Sequence, residues 1–417
     1  MKISLLLLFL FSARLLSASA LLVPMDERQT NHLKAYGLSY WVLNNQVTLE
    51  WLLNYRGGSF LFPNLQNIEE ELIVRGISYE VITDGQANAI KNQIADPATN
   101  MEVVQLEKSP KIAVYSPSSA LPWDDAVTMV LDYAEIPYEK LYDKEIIQGN
   151  LPKYDWLHLH HEDFTGQYGK FYVTFRDAPW YRQQVADAEK QAQELGFSKV
   201  SQLKLAVANS IRNFVLGGGF LFTMCSGTDS FDIALAAHNT DICESMFDGD
   251  RRDPNCQSKL DFNNTFAFEN FTLVQEPLIY EYSNIDGTDL HRIPENQDVF
   301  TLFDFSAKWD IVPTMLTQCH TDVISGFMGQ TTDFRKDLIK SNVLILGESN
   351  SLKTARYIHG ELGQGTWTFY GGHDPEDYQH KVGDPPTDLN LHPNSPGYRL
   401  ILNNILFPAA KKQKRKT

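Results

Sequence analysis

Cys225 ends a short apolar run and is followed by small residues, a pattern typical of a strand that turns sharply into a helix. The run covers residues 217–224 (GGGFLFTM). A nucleophile elbow needs small residues two positions on either side of the reactive side chain, because the chain must reverse while leaving that side chain exposed. Gly227 meets this need, and Thr223 meets it less well. The sequence therefore predicts that Cys225 is a nucleophile, with a thiol pKa lowered by the N-terminus of the following helix.

A histidine followed by carboxylates comes far downstream, after a second strand-like segment. Residues 366–370 (TWTFY) run into residues 371–377 (GGHDPED). His373 can accept the proton of Cys225 and return it to a leaving amine, while Asp374 or Glu376 orients the imidazole. Backbone amides near Ser226 can stabilise the tetrahedral oxyanion. The sequence thus predicts a catalytic set of Cys225, His373, Asp374 and Glu376 at adjacent strand ends.

A second polar cluster, residues 158–163 (HLHHED), ends another predicted parallel strand, at the sheet edge where such folds place ligands. Alternation along the strand puts His158 and His160 on one face and His161 on the other. Histidine and carboxylate suit zinc or a sugar hydroxyl, although strand histidines are more often packing residues. We predict no metal and no other cofactor. We assign contacts with a small-molecule substrate to His160, His161, Glu162, Asp163, Ser226 and Gly227.

Alternating strand and helix patterns divide the chain into two parts. Residues 21–108 read as a smaller N-terminal α/β unit, and residues 109–410 as a larger α/β domain. Strands separated by helices imply right-handed crossovers and a mainly parallel sheet. Residues 239–310 are rich in Asn, Asp, Phe and Tyr with poor helical periodicity, which indicates a mostly β or irregular insertion that could form a lid.

The first twenty residues have the pattern of a cleavable secretory signal. Lys2 precedes an apolar run over residues 3–11, and residues 18–20 (ASA) form a small-residue end. The run is too short for a spanning helix, and no later segment is long and apolar enough. We expect an exported protein, periplasmic or secreted, without a membrane span, whose mature chain starts near Leu21.

The charge of the chain limits its binding partners, and its cysteine content bears on disulfide formation. The formal net charge of -16 argues against a nucleic-acid partner, because phosphate binding needs concentrated Lys and Arg. The simplest interpretation of the basic run at residues 411–417 is a solvated tail. Among the four cysteines of an exported chain, Cys243 and Cys256 flank a short polar loop and form the predicted disulfide. The oligomeric state is not fixed by these features.

The order of strand, helix, Gly-rich turn, elbow and terminal histidine over residues 110–410 resembles the class I glutamine amidotransferase-like superfamily. This resemblance implies a flavodoxin-like three-layer sandwich, and a glutaminase-type cysteine and histidine at Cys225 and His373. That family places its carboxylate two residues after the histidine, where this chain has Pro375, so the third catalytic member departs from the pattern. Residues 363–374 (GQGTWTFYGGHD) and 396–406 (PGYRLILNNIL) resemble the trehalose-utilisation (ThuA-like) branch, which generally lacks the cysteine.

Residues 24–58 resemble exported bacterial proteins that carry the name asparagine synthetase B. Synthetase chemistry needs a Ser-Gly-Gly-x-Asp-Ser loop, and residues 226–230 (SGTDS) are one glycine short. It also needs an N-terminal catalytic cysteine, where this chain has Lys2. Two functions stay open at this point: a cysteine-dependent hydrolase or amidase acting on a small polar substrate, and a carbohydrate-related or ligand-binding protein of ThuA-like type. Asparagine synthetase is the least favoured.

Overall fold

Two β-sheets of different topology organise the chain in a computed structural model that describes residues 18–117, 123–287 and 293–411. The first sheet has the order β4-β1-β3-β2-β5, and all its pairings are antiparallel. Its strands are β1 Ala18–Val23, β2 Leu49–Leu53, β3 Ser59–Pro63, β4 Glu80–Thr83 and β5 Glu102–Leu106. Three helices accompany it, α1 His32–Asn44, α2 Gln66–Val74 and α3 Asp84–Ala95.

The second sheet is mixed. Its order is β11-β10-β13-β14-β15-β9-β8-β6-β7, and β12 pairs with β14. The pairings from β15 through β9, β8 and β6 to β7 are parallel, and the others are antiparallel. Its strands are β6 Ile112–Tyr115, β7 Glu139–Leu141, β8 Trp156–Leu159, β9 Phe220–Met224, β10 Val299–Leu302, β11 Val323–Ser325, β12 Phe334–Arg335, β13 Leu344–Ser349, β14 Thr354–Leu362 and β15 Gly365–Tyr370.

The chain is therefore a mixed α/β protein with a partly parallel sheet. The expectation of a mainly parallel sheet is met in one half only. Gly363 and Gln364 alone join β14 to β15, and a connection of two residues makes a hairpin, since a parallel crossover needs a dozen or more. Helical segments separate the strands between residues 110 and 236, and this pattern predicted the parallel half of the sheet. The antiparallel hairpins lie after the insertion, where no such helices separate the strands.

Helices lie along the second sheet and bury both its faces. Along β6, Ile112 and Val114 join one core with α1, α4 and α12, while Ala113 and Tyr115 join another core with α8 and α9. This alternation is what a strand buried on both faces requires. The helices that follow α3 are α4 Ala126–Tyr133, α5 Asp143–Ile147, α6 Tyr172–Phe175, α7 Pro179–Glu194, α8 Val200–Leu216, α9 Gly227–Ala236, α10 Ser245–Asp248, α11 Ile311–Leu316 and α12 Pro396–Leu406.

The insertion is largely irregular and is tied to the parallel half of the sheet. Its described residues between 239 and 310 contain α10, a few short 3-10 turns and β10. The carboxylate of Asp232, on α9, accepts hydrogen bonds from the backbone N–H groups of residues 266–268 at 2.7 to 2.9 Å. The buried Lys170 ammonium donates to the carbonyl oxygens of Val274 and Glu281. These bonds hold the insertion against the elbow helix and against the segment that follows β8.

The predicted disulfide is wrong. Cys243 and Cys256 are both buried free thiols. The Cys243 thiol donates a hydrogen bond to the Thr165 carbonyl oxygen at 3.1 Å, and Cys256 packs in the apolar core on the α8 and α9 side. Each thiol is thus engaged by its own surroundings instead of facing the other.

The predicted signal segment lies almost wholly outside the described residues, as does the end of the basic tail. Its last residues belong to β1, where Ala20 pairs with Ile82. Cleavage after Ala20 would keep Leu21–Val23, which pair with residues 60–62 of β3. Within the described ranges, no helix is long and apolar enough to cross a membrane.

A buried arginine fastens the loop that leads from β11 to β12. Arg356, on β14, is fully buried, and its Nη2 donates to both carboxylate oxygens of Asp298 at 2.9 and 2.8 Å. Its Nη1 donates to the carbonyl oxygens of Phe327 and Thr332. Both ends of the loop at residues 327–332 are therefore held by one side chain.

Replacing Arg356 by methionine should strongly destabilise the protein. Arg356→Met removes the guanidinium that donates to both oxygens of the buried Asp298 carboxylate, and breaking a buried ion pair costs about 3–5 kcal/mol. The control is Lys336→Met, because Lys336 forms a partly exposed ion pair with Glu348 at 2.8 Å, and such pairs contribute about 0–1 kcal/mol. Urea unfolding measures both. Equal, small losses would contradict the structural role given to Arg356.

Candidate functional site

The elbow at Cys225 forms as the sequence predicts, between β9 and α9. Cys225 has a positive φ of 48°, a strained conformation for a residue with a Cβ. The helix that follows begins at Gly227. The Gly227 N–H donates to the His160 carbonyl oxygen at 2.7 Å, and a Cβ on Gly227 would lie 2.4 Å from that oxygen. Only glycine fits this contact between the elbow and the end of β8.

The Cys225 thiol is enclosed. It is 3% exposed, and its Sγ accepts a hydrogen bond from the Gln330 N–H at 3.3 Å. Burial raises the thiol pKa to about 11, although the N–H groups of Thr331, Gln330 and Ser226 favour the thiolate. The expected lowering of this pKa is therefore wrong, since loss of solvent outweighs the backbone amides and the helix N-terminus.

The order β15-β9-β8 places the ends of three parallel strands side by side, and a side chain that can transfer a proton or act as a nucleophile follows each end. His160 follows β8, Cys225 follows β9 and His373 comes shortly after β15. The Cys225 N–H donates to the Gly372 carbonyl oxygen at 3.2 Å. A Cβ built on Gly329 would lie 3.0 Å from Cys225 Sγ and 2.9 Å from the His373 backbone nitrogen. The thiol thus lies beside the backbone of His373.

The His373 ring is bonded to His160. Its Nδ1 lies 3.1 Å from His160 Nε2. Its Nε2 is buried and has no hydrogen-bond partner among the described residues. Burial, with smaller contributions from His160 and His161, lowers the pKa of His373 well below its usual value. His373 is therefore a neutral imidazole with an available nitrogen.

Asp374 and Glu376, the predicted orienting carboxylates, bind elsewhere. Asp374 accepts hydrogen bonds from the Tyr398 hydroxyl at 2.8 Å and the Thr387 hydroxyl at 2.6 Å. Glu376 Oε2 lies 2.9 Å from His392 Nδ1. Their assignment as partners of His373 is thus corrected: both carboxylates fasten the segment between β15 and α12.

Asp125 supplies the carboxylate that the sequence did not identify. Its two oxygens lie 3.3 Å from His158 Nε2 and 3.5 Å from His160 Nδ1. Its side chain also caps α4 by accepting the Thr128 N–H. Burial raises the pKa of Asp125, but His158 and His160 lower it more, so that the net value lies well below the usual one. Asp125, His160 and His373 form a continuous row. The signal was available, because Asp125 follows β6 at the same sheet edge.

The other predicted substrate residues divide between the site and its frame. Both His161 ring nitrogens are buried and have no hydrogen-bond partner in the described part of the chain. Glu162 Oε1 lies 4.0 Å from His161 Nε2, and burial, then repulsion from Asp125, raises the Glu162 pKa to about 8. Asp163 accepts bonds from Thr165 and the Gly169 N–H. Asp163 therefore stabilises its own loop.

A cavity of about 260 Å³ lies at this edge of the sheet. Cys225, His161 and His373 line it, and the insertion contributes Tyr280 and Glu281 to its wall. Ser226 and Gly227 are absent from this lining, and their contribution is the backbone of the elbow. The insertion thus contributes to one side of the site.

His380 forms a cationic edge to the cavity that sequence analysis missed. It lies 2.9 Å from Asp124 and 2.8 Å from Asp377, and these hydrogen bonds, Asp124 first, raise its pKa to about 9 against the effect of burial. Its ring stacks on that of His373 with centroids 4.7 Å apart. A cation against the face of His373 favours the neutral form of that imidazole.

Comparison with known proteins gives little. No family model and no curated protein matches the chain. A cytoplasmic protein of Salmonella typhimurium has a TM-score of 0.35 at 9% identity, and a second one from that species 0.34 at 11%; each match covers 72% of this chain and 100% of the other. A GH42 β-galactosidase has a TM-score of 0.25 at 9% identity and covers 64% of this chain and 28% of its own. At such scores these likenesses support no conclusion about fold or activity.

The buried thiol should react slowly with alkylating agents at neutral pH. A pKa near 11 instead of about 8.5 makes the thiolate roughly 10²–10³-fold scarcer. We expect iodoacetamide to modify Cys225 at least that much more slowly than free cysteine, and the rate to rise with pH up to about 11. Peptide mass spectrometry measures it, with Cys319 as the partly exposed internal comparison. Alkylation of Cys225 as fast as free cysteine would contradict this assignment.

Proposed function

We propose that this protein is an exported, amidotransferase-like cysteine hydrolase or amidase with a flavodoxin-like three-layer sandwich, acting on a small polar substrate. The observation that carries the proposal is the shared cavity of Cys225 and His373. A cysteine at positive φ on a strand-to-helix elbow and a neutral imidazole with a free nitrogen line one cavity. Nucleophilic catalysis needs these two groups together.

The reaction begins with a proton transfer from the thiol. Because the thiol is protonated at neutral pH, Cys225 attacks the substrate carbonyl carbon as His373 Nε2 accepts its proton. A carbon–sulfur bond forms, and the carbonyl electron pair moves onto oxygen. The backbone N–H groups beside Sγ, those of Gln330 and Ser226, are the proposed donors to this oxyanion.

The second half returns the proton. The carbon–nitrogen or carbon–oxygen bond of the substrate breaks, and the imidazolium of His373 protonates the leaving group. Water, deprotonated by His373, then attacks the thioester and releases the acid and the thiol. His160, with Asp125 behind it, orients His373 and stabilises its positive charge, as the carboxylate does in a catalytic triad.

The size of the cavity limits the substrate. A cavity of about 260 Å³ suits a small molecule. Its walls are partly apolar, with Trp123 and Phe171, and the unpaired ring nitrogens of His161 and His373 can hydrogen-bond the polar groups of a substrate.

A second candidate is non-covalent ligand binding in the ThuA-like manner. The burial of Cys225 and its raised pKa favour this alternative, because both oppose thiolate chemistry. Here the histidines and the backbone of the elbow would bind a sugar or another polyhydroxylated ligand, and Cys225 would only fill the elbow. This function predicts that Cys225→Ala binds as well as the unchanged protein.

Substitution at the two central residues separates the candidates. A panel of small amides and esters is screened with the unchanged protein, and the best substrate is then used with the variants. Cys225→Ala and His373→Gln should each reduce kcat/KM by at least about 10²-fold, since nucleophile and base are lost.

The matched control is His359→Gln. His359 is another buried histidine on the same sheet, and its Nδ1 lies 2.9 Å from the Thr368 hydroxyl. This variant should hydrolyse normally if it folds, which circular dichroism checks. Full activity of Cys225→Ala would eliminate the cysteine mechanism.

A further inference from the structure

Three histidines converge at the ends of β8 and β15, and in the proposed hydrolase one of them, His161, takes no part in attack or proton transfer. His160 and His373 are buried, and the His161 side chain is 10% exposed. The ring centroids of His160 and His373 are 4.4 Å apart, those of His160 and His161 are 5.0 Å apart, and those of His161 and His373 are 5.7 Å apart. One nitrogen from each ring lies within 4.8 Å of one nitrogen from each of the others. These distances bring one nitrogen of each ring within reach of a common ligand.

The polar atoms of this cluster are incompletely satisfied. His161 Nδ1, His161 Nε2 and His373 Nε2 are buried without hydrogen-bond partners among the described residues. Leaving a buried polar group unpaired costs about 1–3 kcal/mol, and native proteins rarely accept several at one place. A bound ligand that accepts lone pairs would remove part of this cost.

We propose that His160, His161 and His373 form a site for a divalent transition metal of the zinc class. Zinc binds imidazole nitrogens at about 2.0–2.1 Å in tetrahedral geometry, which sets neighbouring nitrogens roughly 3.3–3.4 Å apart. His160 Nε2 and His373 Nδ1 are 3.1 Å apart, close to one such edge. A small rotation of the His161 ring supplies the third ligand.

The surroundings support the same ligand set. Asp125 lies 3.5 Å from His160 Nδ1, the nitrogen on the side away from His373. A carboxylate behind a histidine is the usual outer support of a zinc ligand, because it fixes the tautomer and the ring orientation. Three imidazoles leave a fourth position for water or substrate, and His161 and His373 both line the cavity.

The metal proposal does not rest on the proposed hydrolase. The two would compete, because both use the nitrogens of His160 and His373. The hydrogen bond between His160 and His373 needs a proton where the metal would bind. Zinc should therefore inhibit Cys225-dependent hydrolysis. Cys225→Ala removes the nucleophile but none of the three ligands, so it should abolish hydrolysis and keep zinc binding. Failure of one proposal is thus distinguishable from failure of the other.

The test is zinc titration of metal-free full chain, prepared by dialysis against a chelator and followed by calorimetry. We expect one zinc per chain. His161→Gln and His373→Gln should each weaken binding by more than the roughly 10–100-fold expected for Asp125→Asn, an outer-sphere change. His359→Gln is the matched control and should bind normally. Unchanged affinity in the His161→Gln and His373→Gln variants would overturn the proposal, as would no binding by the unchanged protein.

A neighbouring group of Asp124, His373 and His380 provides a further comparison. Both ring nitrogens of His380 already face carboxylates, so His380→Gln should retain zinc. Loss of zinc in His380→Gln but not in His161→Gln would place the metal elsewhere.

Cobalt titration of the unchanged protein is a second test, and it does not depend on the folding of any variant. We expect the visible bands of four-coordinate cobalt without a thiolate charge-transfer band. Absence of the visible bands would contradict the site.

Discussion

The parallel pairing of β8, β9 and β15 is the constraint on which the site depends. Parallel neighbours end at the same edge of a sheet, so His160, Cys225 and His373 come together although more than two hundred residues separate the first from the last. Two backbone bonds fix their distances, from Gly227 N–H to the His160 carbonyl and from Cys225 N–H to the Gly372 carbonyl. The glycine at position 227 is required because a Cβ would collide with that carbonyl oxygen.

Burial determines the chemistry of the groups held at this edge. The same loss of solvent raises the pKa of the Cys225 thiol and lowers that of His373. The two groups at rest are therefore a neutral thiol and a neutral imidazole, and in the proposed reaction charge develops only when the proton moves. Neutral imidazoles are also the form that binds metals, so the proposed base and the proposed metal ligands need the same protonation state. Arg356 and Lys170 hold the surrounding loop and insertion in place.

Sequence reasoning predicted the elbow, the strand-end histidines and the α/β class, because each depends on local pattern, but it did not predict the antiparallel half of the second sheet. Small residues around Cys225 specify the turn, and strand-helix alternation before it specifies parallel neighbours. The partners of His373 could not be predicted this way. Asp374 follows it directly in sequence, yet Tyr398 and Thr387 bind that carboxylate, and His160 takes its place. The pKa of the Cys225 thiol could not be predicted from the sequence either, since it depends on how completely Gln330 and its loop cover the sulfur.

The central claim is that His373 is a neutral imidazole hydrogen-bonded to His160. Nitrogen-15 NMR of histidine-labelled protein, with His160→Gln and His373→Gln to assign the signals, tests it directly. The account predicts a neutral His373 tautomer at pH 7 and a scalar coupling between His373 Nδ1 and His160 Nε2 across the hydrogen bond. A doubly protonated His373, or two rings without coupling in metal-free protein, would contradict it.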